Sequence, residues 1–256
     1  MVKQRTIWLV VLIWVMAASS AHAVGLEAAA GGWYQDISGD ASYRADDIFD
    51  FLEVDDDLNY DSETRLHGRV KIDMPLFLPN IYLMAAPSEF EGTGLKNVDF
   101  DFGDFEFAGN VPFFSKLTIN QYDVALYYGL PFLRTATLNT LNIDIGINVR
   151  IVDVEAEVRQ SATGLSETQD ATVPVPLVYI GVQLTPLDWL AIEAEGRGMT
   201  ISGNSVYSLI GRIRLDIFGP VFVAAGYRYD KVDVDEDDVD VDLDLKGPFA
   251  EVGLRF

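Results

Sequence analysis

Between Leu26 and Phe256 the chain returns again and again to strict alternation of apolar and polar side chains. A period of two belongs to strands, because successive side chains point to opposite faces. About ten stretches carry it: residues 26–34, 64–74, 81–90, 117–128, 141–152, 175–184, 190–199, 207–217, 221–229 and 248–256. Helical periodicity is sustained nowhere. The stretches are about 9 to 12 residues long, the length a tilted strand needs to cross a hydrocarbon layer.

The links between stretches fall into two kinds. After the even-numbered stretches they are mostly tight and carry turn residues, as in "PLFLPN", "TPLDW" and "FGP". After the odd-numbered ones they are mostly longer and acidic, spanning residues 35–63, 91–116, 153–172 and 230–247; the short link 200–206 and the link 129–140 depart from the rule. Long links at one end and tight turns at the other are the arrangement of a transmembrane antiparallel up-and-down barrel. Ten strands is the expected number and eight the next best.

Alternation alone does not say which face is inside. In "TRLHGRVKIDM" one face carries Arg65, His67, Arg69, Lys71 and Asp73, and the other Leu66, Val70, Ile72 and Met74. Across all stretches the polar face adds Glu27, Asp123, Asp144, Arg150, Glu193, Glu195, Arg197, Arg212, Arg214, Asp216, Arg228, Glu251 and Arg255. These charges nearly balance, whereas the loops hold almost all of the acidic excess of a chain with net charge −22. Separate balance fits an enclosed network, because a charge away from water needs a partner. The polar face is therefore expected to line the lumen and the apolar face to meet lipid. Aromatics near the stretch ends, Trp33, Tyr34, Tyr207, Tyr227 and Phe249 at one rim and Tyr127, Tyr128, Trp189 and Phe256 at the other, read as interfacial girdles.

In the fifth stretch the apolar parity inverts after Ile151, where Asp153, Glu155, Glu157 and Arg159 take the formerly apolar positions. Either a bulge or an exit from lipid accounts for this. Residues 229–247 read as a hairpin standing above the membrane, and 98–107 as a smaller one turning at Gly103-Asp104.

Residues 1–23 read as a cleaved secretory signal: Lys3 and Arg5, an apolar run over 7–18, and Ala21-His22-Ala23 as the cleavage box. The barrel domain is then 24–256. Cysteine is absent, so no disulfide braces the exported chain. The strong negative charge argues against nucleic acid as a partner.

The stretches 25–40, 78–83 and 122–130, and above all "AGYRYDKVDVDEDDVDVDLDLKGPFAEVGLRF" at 224–256, resemble a family of uncharacterised Gram-negative outer-membrane β-barrel proteins. The terminal strand ending on Phe256 resembles the signal read by the barrel-assembly machinery. The resemblance implies an outer-membrane location and that fold, and it brings no catalytic residues and no cofactor.

His67 is the one histidine left after cleavage. As a general base among acids it would suit a hydrolase at the extracellular rim, the alternative function; as a hydrogen-bonded lumen residue it would be structural. No His-Asp dipeptide and no G-x-S-x-G accompanies it. The reading is therefore a non-enzymatic barrel, structural or surface-interacting, with a narrow passage for small solutes or ions as a variant. Asp233, Asp235, Asp237 and Asp238 are weak divalent-cation candidates. An EF-hand is excluded, because Asp238 stands where the loop needs Gly. Calcium or magnesium at the acidic loops, lipopolysaccharide and outer-membrane lipid are the expected partners.

Overall fold

The computed structural model describes residues 25–44, 49–75, 77–103, 105–201, 203–236 and 239–256. The signal segment lies outside these residues, as do Asp237 and Asp238. In chain order the elements are β1 (Gly25–Arg44), β2 (Phe49–Glu53), a π-helical turn Val54–Leu58, β3 (Glu63–Asp73), β4 (Asn80–Gly94), β5 (Phe100–Phe102), β6 (Phe105–Phe107) and β7 (Phe113–Gly129). After a short helix α1 (Leu133–Ala136) come β8 (Leu141–Gln160), β9 (Leu165–Leu187), β10 (Leu190–Ile201), β11 (Asn204–Phe218), β12 (Val221–Glu236) and β13 (Val239–Arg255).

Each of the ten long strands β1, β3, β4 and β7 to β13 pairs antiparallel with its chain neighbour, and β13 pairs back onto β1 to close the barrel. Closure leaves neither β1 nor β13 as a free edge in lipid, where an unpaired backbone group has no water to bond. Leu26 and Phe256 exchange backbone hydrogen bonds at the end that also carries the tight turns. The opposite, loop end is the one that faces outside in barrels of this type.

The strands run well past the expected stretches. β8 and β9 stay in register from Leu141↔Leu184 to Gln160↔Leu165, and β7 pairs with β8 up to Phe114↔Arg159, both without a shift. No bulge marks the inversion after Ile151: the strand leaves lipid there, and its two faces exchange polarity. Arg150 and Val158 are both buried on the inner face, while Ile151 and Glu155 are both exposed on the outer one. The same exchange occurs in β1, where Trp33 and Ile37 point inward while the outer face passes from Tyr34 to Asp36. In β13 it falls between Lys246 and Pro248.

Above this level the strands enclose an apolar centre. Ile37, Phe90, Phe113, Val158 and Leu245 face inward from the wall, and the β5–β6 hairpin adds Phe100 and Phe107 from the loop between β4 and β7. That hairpin turns at Gly103, whose φ of +61° is a left-handed value that glycine adopts without strain. Val54 and Leu58 of the π-helical turn close the core from the side. We call this half the headpiece.

Three expected girdle aromatics are corrected. Trp33, Tyr127 and Phe249 are buried inside the barrel, whereas Tyr34, Tyr128, Trp189, Tyr227 and Phe256 are exposed on its outside. Parity decides: the first three share the inward parity of Glu27, Asp123 and Glu251 on their own strands. Rings on that face serve the lumen rather than the lipid boundary.

The wall has two places where neighbouring strands part toward the loop end, and each coincides with proline. β3 and β4 are paired only from Ile72↔Ile81 to Gly68↔Ala85, just below Pro87. β9 and β10 are paired only up to Val178↔Gly198, just below Pro176 and Pro174. A proline has no N–H to give to a ladder. At the first parting, side chains and the π-helical turn fill the gap: Gln35 donates to the carbonyl of Pro87, Arg65 to that of Glu89, and Asn59 to that of Thr93. At the second, no such caps are present among the described residues.

Candidate functional site

The lumen of the lipid-spanning half is filled by charged side chains, each placed by strand parity. On β1, β3 and β13 the inward positions bring Glu27, Arg69 and Glu251 together although they are far apart in sequence. Arg69 donates to Glu251 at 2.7 and 2.9 Å and also to Glu27. From the other side of the barrel, Arg214 reaches Glu27 at 3.1 Å and Glu193 at 2.6 Å. Arg212 lies 2.8 Å from Glu195, which also receives Lys71 at 2.8 Å. A second cluster lies toward the headpiece. Arg150 grips Asp123 through two bonds of 3.0 Å, and Arg228 donates to Asp230 at 2.6 Å and to Gln121.

Aromatic faces back these cations. Arg197 lies between the rings of Tyr82 and Tyr179, 4.9 and 5.3 Å from their centroids. Arg228 lies 4.4 Å over Trp33, and Arg69 and Arg214 each lie 5.7 Å from Phe222. A ring's negative face stabilises a desolvated guanidinium, so acids and rings together supply what water would.

The remaining sequence-derived lumen residues lie at the margins. Asp73, Asp144 and Arg255 line the terminal mouth together with Arg134 of α1, and Asp216 is 3.3 Å from Arg214. Arg65 reaches Glu89 at the β3–β4 parting. Asp230 escaped the sequence reading, which ended the twelfth strand's lipid-spanning part at Tyr229. Its inward parity with Arg228 was the available signal. The neutral members Gln121 and Asn148 were visible only as polar residues at the right parity.

His67 sits inside the wall. Its Nε2 is 3.5 Å from Glu251 Oε2, and its ring meets Phe249 edge-on at 5.3 Å between centroids. Gly31 is opposite both His67 and Glu251 in the ladders. A Cβ at Gly31 would run into the backbone of Ala250 and Glu251, so only glycine lets the three strands curl this tightly. Phe249 and the headpiece core cover the histidine on the loop side, and its side chain is 8% exposed.

Free space in the lumen is scarce. A cavity of about 10 Å³ lies among Trp33, His67, Arg69, Arg212, Arg228 and Glu251, and another of about 50 Å³ opens near the terminal mouth beside Lys71, Asp73 and Asp144. The first is about the size that one water needs.

Of the cation candidates, Asp233 is on the outer face of β12, opposite Asp242. The side chain of Asp235 lies outside the described part, as do Asp237 and Asp238. Among the described residues, no three histidine or carboxylate side chains converge to hold a metal ion. Lys231 instead serves the acids of this hairpin, bonding Asp242 and lying 3.6 Å from Asp244. The Asp242 bond raises the Lys231 ammonium's pKa well above its ordinary value.

No family model and no curated protein matches the chain. Solved structures do. The outer-membrane protease OmpT from Escherichia coli superposes with a TM-score of 0.61 at 9% identity, over 93% of this chain and 99% of that one. The translocator domain of the autotransporter NalP from Neisseria meningitidis gives 0.43 at 12% identity, over 99% and 96%. The attachment invasion locus protein Ail of Yersinia pestis gives 0.41 at 10%, over 92% and 100%. At such identities the likeness to OmpT is one of fold, that of an outer-membrane β-barrel, which this chain closes with ten strands.

Proposed function

We propose that this protein resides in the outer membrane of a Gram-negative bacterium as a sealed, non-catalytic barrel that presents its acidic headpiece to partners outside the cell. The observation that carries the reading is the exchange of polarity along unbroken strands. The wall does not end in open loops above the lipid, but its strands continue around an apolar core with a charged outer face. A pore would need a continuous wet path. Here the path meets ion pairs at one level and packed phenylalanines at the next.

His67 fits a structural part in this reading. It is enclosed with Glu251 under Phe249, and a hydrolytic base needs a cleft where substrate can approach within hydrogen-bond reach. Lipid and lipopolysaccharide surround the exposed belt, the barrel-assembly machinery inserts it, and calcium or magnesium gathers loosely at the acidic surface.

Conductance of the refolded protein across a planar bilayer tests the seal. A flat trace under applied voltage is expected. Regular current steps that scale with salt would replace the sealed barrel by a passage, and hydrolysis abolished by His67→Ala in a folded barrel would replace it by an enzyme.

A further inference from the structure

The two partings in the wall differ in one respect that bears on partners. At β4 the free carbonyls are taken by Gln35, Arg65 and Asn59. At β9 the upper edge remains bare on the side away from β8 among the described residues. The direction of its backbone groups follows from the prolines. The β8–β9 ladder runs unbroken through Pro174 and Pro176, so their nitrogens point away from β8. Thr185, of the opposite parity, donates its N–H back toward the β8 side, to Thr140. In an antiparallel strand, residues of one parity turn both N–H and C=O to the same neighbour. The even residues Ser166, Thr168, Asp170 and Thr172 therefore offer both groups outward along this edge.

Such an edge is a template for another strand, and proteins usually blunt or cover it. Pro174 and Pro176 blunt the part nearest the lipid. The part beyond them is paired with β8 on its other side without a shift in register and is exposed over residues 168–174. The charge beside it specifies the occupant. On the outer face Glu155 is directly opposite Asp170, and no cation lies within 4.0 Å of either among the described residues. Like charges facing across a ladder destabilise it, and a cation on an added strand would relieve them. Glu157 already has Arg159 at 2.8 Å, and Asp153 accepts from Thr172.

We infer that the β9 edge at Ser166–Thr172 receives an extended segment of a partner polypeptide carrying lysine or arginine on its outward side, which pairs as an additional strand next to Asp170. The inference rests on the proposed surface-interacting role and names its docking edge and the chemistry of its partner.

The test uses the full barrel in detergent with a short alternating valine–lysine peptide as probe, read by peptide-level hydrogen exchange. Added peptide is expected to slow exchange in the segment 165–173. Thr168→Pro removes one outward N–H in the manner already tolerated at Pro174, and is expected to weaken binding about tenfold or more, whereas Thr168→Val retains it. Asp170→Lys is expected to weaken it as well. Unchanged exchange at saturating peptide overturns the inference. So does equal binding by Thr168→Pro, or protection that grows with protein concentration alone, which would assign the edge to a second copy. The conductance and hydrolysis measurements judge the sealed, non-catalytic reading separately, and peptide binding that protects some other part of the headpiece would overturn the β9 edge while leaving the surface role standing.

Discussion

The lipid-spanning half and the headpiece are built from the same strands and have opposite interiors. Below the level of Ile151 the wall is apolar outside and ionic inside; above it the wall is charged outside and filled with phenylalanine and aliphatic side chains. The backbone does not register the change, since the β7–β8 and β8–β9 ladders pass through it without a shift. Hydrogen bonding is thus indifferent to the solvent, and side-chain parity alone records where lipid gives way to water. The two interiors also hold together differently. The headpiece gains from apolar burial, which is non-directional. The lumen depends on pairings whose loss leaves a bare charge.

Substitutions can break this contrast. The largest expected effects are Arg69→Met in the lumen and Phe90→Ala in the headpiece, each costing about 3–5 kcal/mol, the first by taking from Glu251 its hydrogen-bonded cation and from Glu27 one of its two, Arg214 remaining, and the second by opening a core cavity. They differ in where the loss is felt. Denaturant unfolding in detergent should register the Arg69 change throughout the barrel, and hydrogen exchange should place the Phe90 change in the headpiece strands, with the lipid-spanning amides unchanged. Loss of protection near Ile147 in Phe90→Ala would show that the halves are not separable.

Next come charges on the outer face of one strand. Ile147→Arg places a cation in lipid and should cost about 2–4 kcal/mol, whereas Glu155→Arg on the same face of β8 should cost nothing measurable. Equal effects in a folding titration from urea into lipid vesicles would move the boundary away from Ile151.

The smallest effect concerns acid. Lys116 donates to Glu89 and, with Arg65 beside it, lowers that carboxyl below its ordinary value of 4.5. A lowered folded-state pKa contributes stability that is fully present above the ordinary value and is lost as pH falls through the lowered one. Because these side chains are partly exposed, the change is slight. Exchange at residues 87–91 should therefore quicken modestly only in acid below that range, and Glu89→Gln should be insensitive there.

Much of this architecture is legible in the residues. Parity assigns Arg69, Arg150, Arg197, Arg212 and Arg214 to the lumen because a strand allows only two faces, and the hairpins at 98–107 and 229–247 follow from local turn signals. What the residues conceal is continuity. Once Asp153 and Glu155 occupy positions that were apolar, a strand crossing into water looks like a loop, and β8 and β9 run beyond the expected 141–152 and 175–184 for that reason. Trp33, Tyr127 and Phe249 were misplaced through a related ambiguity. An aromatic near a strand end suits a lipid boundary by composition, and only its parity relative to Glu27, Asp123 or Glu251 reveals that it stacks inside. Which acid meets which base lies beyond parity, because the Arg69–Glu251 contact joins residues 182 positions apart.

The hydrogen bonds between Leu26 and Phe256, at the two ends of the barrel's single sheet, also govern how the fold can be reached. Neighbouring hairpins assemble locally, but the β1–β13 ladder must wait for the last residues to be made and delivered. Its closure carries the entropy of the longest loop in the molecule. Until then Arg69 has Glu27 but not Glu251, so an unclosed chain would hold a cation short of one of its two acids at the depth of the lipid. Completion of the sheet and neutralisation of its interior are in this way one event, and a chain cut short before β13 would forfeit both.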